Sequence, residues 1–302
     1  MRIAVIQMSA QPDVEENLAL IRKYIAAAAA NNADLVVFPE AAMFPFDNGR
    51  LDQVAQPLDG PFATAVMDTA RKHDITAVVG MFTPADVVYR NPAGDIVEEQ
   101  PEGAGETNRI HRVYNTLLVA GPDVVTHYNK IHTYDAFGYH ESDTVKPGDR
   151  RVTFEVRGVT VGLATCYDIR FPGHFIDLAN AEAKVIVVPT SWADGPGKLE
   201  QWRVLTAARA LDSTCYLVAA GQARPGSPDR YGQPDGPTGI GHSVVIGPNG
   251  SKLAETGYMA QVLTVDIDPN HVDKVRKGLP VLEGHKVERE LSSTAVVMAG
   301  GH

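Results

Sequence analysis

Hydrophobic residues fall along the chain in short runs rich in Val and Ile, with longer stretches of helical period between many of them. Strand-like runs occupy residues 3–7, 35–38, 76–81, 115–120, 124–127, 152–156, 159–164, 185–188, 215–220, 243–246 and 261–267. Several are continuously apolar, the pattern of strands covered on both faces. Asp13 followed three residues later by Glu16 reads as a capping box that opens a helix running to Ala30. Within it Leu18, Ile21, Ile25 and Ala29 share one face. Further helices are expected over 60–73, 175–183, 198–211 and, opened by Pro269, to residue 277.

The order of elements is mixed. Strand–helix–strand units alternate with close strand pairs, one of them joined by the hairpin turn Arg157-Gly158. A mixed sheet with helices on its faces follows, which is the α/β class. Two strand ends resemble each other, Val36-Val37-Phe38-Pro39-Glu40 and Val187-Val188-Pro189-Thr190, and this points to two related halves stacked as a two-sheet sandwich. The polar stretch 91–112 is expected to be a surface loop.

Composition narrows the picture. The 302 residues are 44% hydrophobic and 21% charged, so the chain can form a core and is no disordered tract. No apolar run approaches the roughly 18 residues that cross a bilayer, so no membrane partner is expected. A formal net charge of -10 without a basic tract argues against nucleic acid. Two cysteines make neither a disulfide framework nor a Cys-rich zinc site. The start is broken by Gln7 and reads as a first strand rather than a signal peptide, so a cytoplasmic location is expected. No linker divides the chain. Residues 1–285 are expected to form one domain, and the tail 286–302, small and apolar from Leu291 on, to be loose or to lie on a partner subunit.

Three reactive side chains each end an expected strand. Glu40 follows residues 35–38, at a sheet rim where α/β proteins place ligands, and partial burial there makes a carboxylate a base. Lys130 ends the run that begins near Val124; a fixed ammonium stabilises an oxyanion. Cys166 ends the run 159–164 and precedes a turn into a helix. Free N–H groups in such a turn favour a thiolate and bind an oxyanion. Glu141, before the turn Lys146-Pro147-Gly148, is either a second carboxylate near the site or a loop acid. Taken singly, a solvated loop carboxylate, a surface lysine and a buried structural cysteine are the commoner roles. Cys215 heads an apolar strand and is expected in the core. No metal set or phosphate loop stands out: His127 and His132 do not share a helix face, and Gly236-Pro237-Thr238-Gly239 is a turn.

In chain order, Phe38-Pro39-Glu40, Asn129-Lys130-Ile131-His132 and Cys166-Tyr167-Asp168-Ile169-Arg170-Phe171-Pro172 closely resemble the nitrilase superfamily of carbon–nitrogen hydrolases. The resemblance spans nearly the whole chain and includes Tyr114-Asn115-Thr116, Gln201-Trp202 and Gly241-His242-Ser243. It implies a four-layer α-β-β-α sandwich of two mixed sheets, usually assembled as a homodimer or larger homo-oligomer. It implies a catalytic set of Glu40, Lys130 and Cys166 with Glu141 as the second glutamate, the Tyr167 N–H at the oxyanion, a thioester on Cys166, and no cofactor. The end of the chain looks most like the small-amidase branch, with ω-amidases and deaminated glutathione amidases, whose substrates are small carboxylate-bearing amides. Phe44, Tyr139, Ser191 and Trp192 then stand as expected substrate contacts.

One position departs from the family pattern. Gly173 stands where members usually carry Glu, so Arg170 takes another partner, Asp168 or Asp177, or faces a substrate carboxylate. An acyltransferase, an N-carbamoyl amide hydrolase and a non-catalytic binding protein on the same scaffold remain open readings.

Overall fold

The computed structural model describes residues 1–290 except 103, 104, 106, 107, 137, 138, 235 and 237; the side chains of 139 and 287–290 also lie outside the description. The first half contributes β1 (Arg2–Gln7), α1 (Val14–Ala30), β2 (Leu35–Val37), α2 (Pro61–Lys72), β3 (Thr76–Arg90), β4 (Ile96–Val97), β5 (Arg109–Ala120) and β6 (Val125–Asn129). A small hairpin of β7 (Asp135–Ala136) and β8 (Tyr139–His140) follows. The second half holds β9 (Thr153–Val156), β10 (Val159–Leu163), α3 (Pro172–Asn180), β11 (Val185–Thr190), α4 (Lys198–Ser213), β12 (Tyr216–Gly221), β13 (Val244–Ile246) and β14 (Lys252–Glu255). The chain returns through β15 (Gln261–Asp266) to the first sheet, then ends in α5 (Asn270–Gly278) and α6 (Val281–Glu290).

The sheets have the same plan. One runs β15-β1-β2-β3-β5-β6, the other β9-β10-β11-β12-β13-β14. Each has a parallel triplet, β1-β2-β3 or β10-β11-β12. An antiparallel strand flanks each triplet on one side and two flank it on the other. The expected relation between the ends of β2 and β11 is therefore a relation of place, since each is the middle strand of its triplet.

Three apolar layers glue four structural ones. Ile21, Ile25, Phe62 and Val66 of α1 and α2 pack on Val36 and Val79 of the first sheet. Val5, Val37 and Leu117 meet Leu163, Val187 and Val218 between the sheets. Phe175, Leu178 and Trp202 of α3 and α4 cover the outer face of the second sheet, where Cys215 is also buried. This is the expected four-layer α-β-β-α sandwich, and the continuously apolar strands are those with cover on both sides.

Local chemistry explains most boundaries. Asp13 accepts from the N–H groups of Glu15 and Glu16 and caps α1. Arg157 and Gly158 both have positive φ, 49° and 75°, as a tight hairpin turn requires. Pro172 starts α3 three residues ahead of the expected Phe175, its missing N–H costing nothing at that position. The described residues of 91–112 are mostly turn and loop, as expected, but 96–97 and 109–112 are strand and belong to a longer ribbon. β3 and β5 pair from Ala77↔Ala120 out to Tyr89↔Arg109, and β4 adds to β3. The register shifts between Pro84 and Val87, where proline donates no ladder bond, and this interruption hid the outer half of the ribbon from the hydrophobic pattern. α6 and the half-exposed β14 were not anticipated. The tail 291–302 lies outside the described residues.

Candidate active site

The strand ends bring the reactive side chains to one place. Glu40 lies three residues beyond β2, and Gly80 on β3 makes room for it: a Cβ at Gly80 would stand 2.5 Å from Pro39 O and 2.9 Å from Glu40 Cα. Lys130 directly follows β6, and its carbonyl accepts from the Gly148 N–H at 2.8 Å. Cys166, three residues past β10, opens a 3₁₀ turn (Cys166–Arg170) with φ +44°, a left-handed backbone that few non-glycine residues adopt. Glu141 opens another such turn, Glu141–Asp143.

Lys130 is the hub. Its ammonium donates to Glu40 Oε1 at 3.2 Å and to both oxygens of Glu141, at 3.1 and 2.8 Å. All three side chains are 3% exposed or less. Asn115 on β5 donates to Glu40 Oε1 at 2.8 Å and reaches Glu141 Oε1 at 3.4 Å. Glu40 Oε2 accepts from the Ser191 N–H at 2.7 Å, and Glu141 Oε2 from the Tyr134 N–H. The Cys166 thiol lines the same pocket as Glu40 and Lys130, near enough for both charges to act on it.

The electrostatics of the cluster follow from burial. Desolvation raises Glu40 above the ordinary carboxylate range; Lys130 opposes it, Glu141 reinforces it and Asn115 opposes it less. For Lys130 desolvation works against the charge, but Glu141 and then Glu40 outweigh it and hold the ammonium well above its ordinary value. Burial, and next the Glu40 charge, push the Cys166 thiol well up, with Lys130 pulling the other way. The resting thiol is therefore neutral, beside a carboxylate whose proton affinity is raised.

The cluster forms the floor of a pocket with about 480 Å³ of free space, its open mouth included. Ser191, Trp192, Tyr167 and Arg170 line it, as do Phe46, Tyr134 and Lys198. Arg170 stacks over the rings of Trp192 and Tyr167, with its carbon 5.2 and 5.8 Å from the centroids, and donates to Gln201 Oε1 at 3.0 Å. Neither expected carboxylate replaces its partner. Asp177 pairs with Arg151, and Asp168 is occupied by Tyr128, His132 and Thr165. Lys198 opens α4 on the same wall; burial and then the Arg170 charge lower its proton affinity.

Of the expected contacts, Phe44 is not in the pocket. It is buried with Ala41, Phe82, Val113 and Val145, and Phe46, two residues further on, lines the pocket instead. The side chain of Tyr139 lies outside the described residues. Phe46, Tyr134, Lys198 and Asn115 were not anticipated as site residues; only Asn115 gave a signal, as part of a motif.

Fold and site together define a four-layer α/β protein with a buried cysteine, lysine and glutamate pair at the base of a small-molecule pocket. Residues 2–277 match the carbon–nitrogen hydrolase family. A Mycobacterium tuberculosis protein described as a hydrolase is 45% identical over 93% of this chain and 94% of its own length. The deaminated glutathione amidase of Escherichia coli O157:H7 is 33% identical over 95% and 97%. Among solved structures, Nit3 of Saccharomyces cerevisiae, a nitrilase-superfamily member, superposes with TM-score 0.71 at 25% identity, covering 93% and 94% of the two chains. An amidase from Nesterenkonia superposes with TM-score 0.69 at 26% identity, covering 95% and 96%. The chain belongs to the carbon–nitrogen hydrolase family of the nitrilase superfamily, and it is an amide-hydrolysing enzyme.

Proposed function

We propose that the enzyme hydrolyses the amide of a small carboxylate-bearing molecule through a thioester on Cys166. The contact of Lys130 with Glu40, with Cys166 beside them at the base of one pocket, carries this reading. Glu40 takes the thiol proton as Cys166 Sγ bonds to the amide carbonyl carbon. The oxygen, now negative, is held by the Lys130 ammonium and the Tyr167 N–H. Protonated Glu40 gives its proton to the nitrogen as the C–N bond breaks, and ammonia or an amine leaves. Glu40 then deprotonates water, which attacks the thioester and frees the acid and the thiol. Dividing the transfer in two lowers each barrier. Glu141 orients Lys130 and keeps it charged.

The cationic wall supports a substrate carboxylate. Arg170 and Lys198 stand on one side of the pocket, and Arg170 presents its charge over two aromatic rings. Trp192, Ser191 and Phe46 would shape the chain between carboxylate and amide.

The reading extends to the whole protein. It is a cytoplasmic enzyme of one domain over residues 1–285, with two free thiols. It assembles with a second copy of itself; Val204 and Leu211, seven residues apart on α4, leave apolar surface exposed. Ammonia release from succinamate and glutaramate, with a Cys166-dependent acyl adduct in the intact mass, tests the reaction. An adduct that passes to an added amine in preference to water would indicate acyl transfer, and turnover of N-carbamoyl compounds alone would move the substrate class.

A further inference from the structure

The described molecule holds one more buried carboxylate close to this cluster. Asp168 is two residues beyond Cys166 and fully buried, and both its oxygens are engaged. Oδ1 accepts from the His132 N–H at 3.1 Å and lies 2.7 Å from His132 Nδ1. Oδ2 accepts from the Tyr128 hydroxyl at 2.6 Å and from the Thr165 N–H at 2.8 Å.

The four donors belong to two different parts of the site. Tyr128 and His132 bracket Lys130, two residues on either side, and the Tyr128 oxygen also receives the Ile131 N–H at 3.2 Å. Thr165 immediately precedes Cys166. One carboxylate thus ties the segment carrying the ammonium, at the end of β6 in the first sheet, to the turn carrying the thiol, at the end of β10 in the second. Neighbours brace the tie. Phe171 stacks on the His132 ring at 3.7 Å and 7°, and His174 Nε2 donates to Leu163 O at 2.9 Å, anchoring the last residue of β10.

Two further facts show what the tie must do. Cys166 sits at φ +44°, a strained conformation that lasts only where the surroundings over-determine it. Burial opposes charge on Asp168, but the bond from His132, the nearby His174, and the bonds from Tyr128 and Thr165 outweigh it and keep the carboxyl below its ordinary range. An ionised group with four donors from two sheets is a stiff spacer.

We infer that Asp168 is a positioning residue that fixes the separation of the Lys130 ammonium and the Cys166 thiol. This rests on the proposed roles of those two groups. Misplacement by about 1 Å can cost on the order of a hundredfold in rate.

Alkylation of Cys166 by iodoacetamide, followed by peptide mass mapping, reads thiol placement without assuming any substrate. In Asp168→Asn an N–H group must face donors. At a temperature well below its melting point, and with a native circular dichroism spectrum, this variant should alkylate at least tenfold more slowly than wild type. His132→Ala should slow the reaction several-fold, and His132→Asn, whose carboxamide can donate in place of Nδ1, should recover most of the rate. A brace that only stabilises the fold would lower the melting temperature of all three and leave the rate unchanged, with no rescue. Rates within twofold of wild type in folded Asp168→Asn, or in His132→Ala if the first variant does not fold, overturn the inference. Wild-type Cys166 reacting no faster than Cys215 would instead overturn its role as nucleophile, and the positioning role with it.

Discussion

The Ser191 N–H donates to Glu40 Oε2 at 2.7 Å, and these two residues follow the middle strands of the two parallel triplets. The site therefore lies on the seam where equivalent strand ends of the two halves meet, as ligand sites of α/β sheets lie beyond the carboxyl ends of strands. One half brings the carboxylate and the ammonium. The other brings the thiol and the pocket wall.

Cys166→Ala is expected to abolish ammonia release while changing stability by no more than about 1 kcal/mol. The partners that hold Glu40, namely Asn115, Lys130 and the Ser191 N–H, all remain in the variant. A thermal melt beside an activity assay checks both halves of this expectation.

Glu40→Gln keeps an acceptor for the Ser191 N–H and removes the proposed base, so kcat should fall by about 10²–10⁴ with little change in KM. The wild-type pH profile carries a linked expectation. Glu40 must be ionised to accept the thiol proton, and burial raises its pKa, so kcat/KM should be lost on acidification at a pH above the ordinary carboxylate value of about 4.3. An acid limb at or below that value would remove Glu40 from the role.

Removing Lys130 should harm stability as well as rate. Lys130→Met leaves Glu40 and Glu141 buried side by side without their cation, at a cost of roughly 3–5 kcal/mol. Double replacement with Glu141→Gln should recover part of that loss but none of the activity. Urea unfolding of the single and double variants measures the recovery.

Arg170→Ala should raise KM for glutaramate about tenfold or more, as loss of a charge-assisted contact worth about 1.5–3 kcal/mol requires. Turnover of an uncharged amide of equal length should be nearly indifferent to it. Equal losses on both substrates would return Arg170 to a structural role.

Gly80→Ala tests the space beneath Glu40. Its Cβ would press on the Pro39 carbonyl and the Glu40 backbone, so a destabilisation of about 1–3 kcal/mol is expected, with activity falling further than stability explains.

Much of this was legible in the chain before folding. Glu40, Lys130 and Cys166 each stop an apolar run, and a polar group at that point sits at the rim of a sheet. The likeness of Val36-Val37-Phe38-Pro39 and Val187-Val188-Pro189, at the ends of β2 and β11, marked the two halves. What stayed hidden depended on where the backbone turns. Phe44 and Phe46 look alike in sequence, and only the path of the folded loop sends one into the core and the other to the pocket. Lys198 enters from a helix start with no pattern of its own. The outer ribbon of β3 and β5 was missed because Pro84 interrupts its alternation.

On the role proposed for Cys166, its left-handed backbone sets folding and chemistry against each other at a single codon. Selection for folding alone would favour glycine there, which adopts that conformation without strain. A descendant released from the reaction would gain by drifting to glycine, so position 166 is where decay of the enzyme into an inert scaffold would first be written.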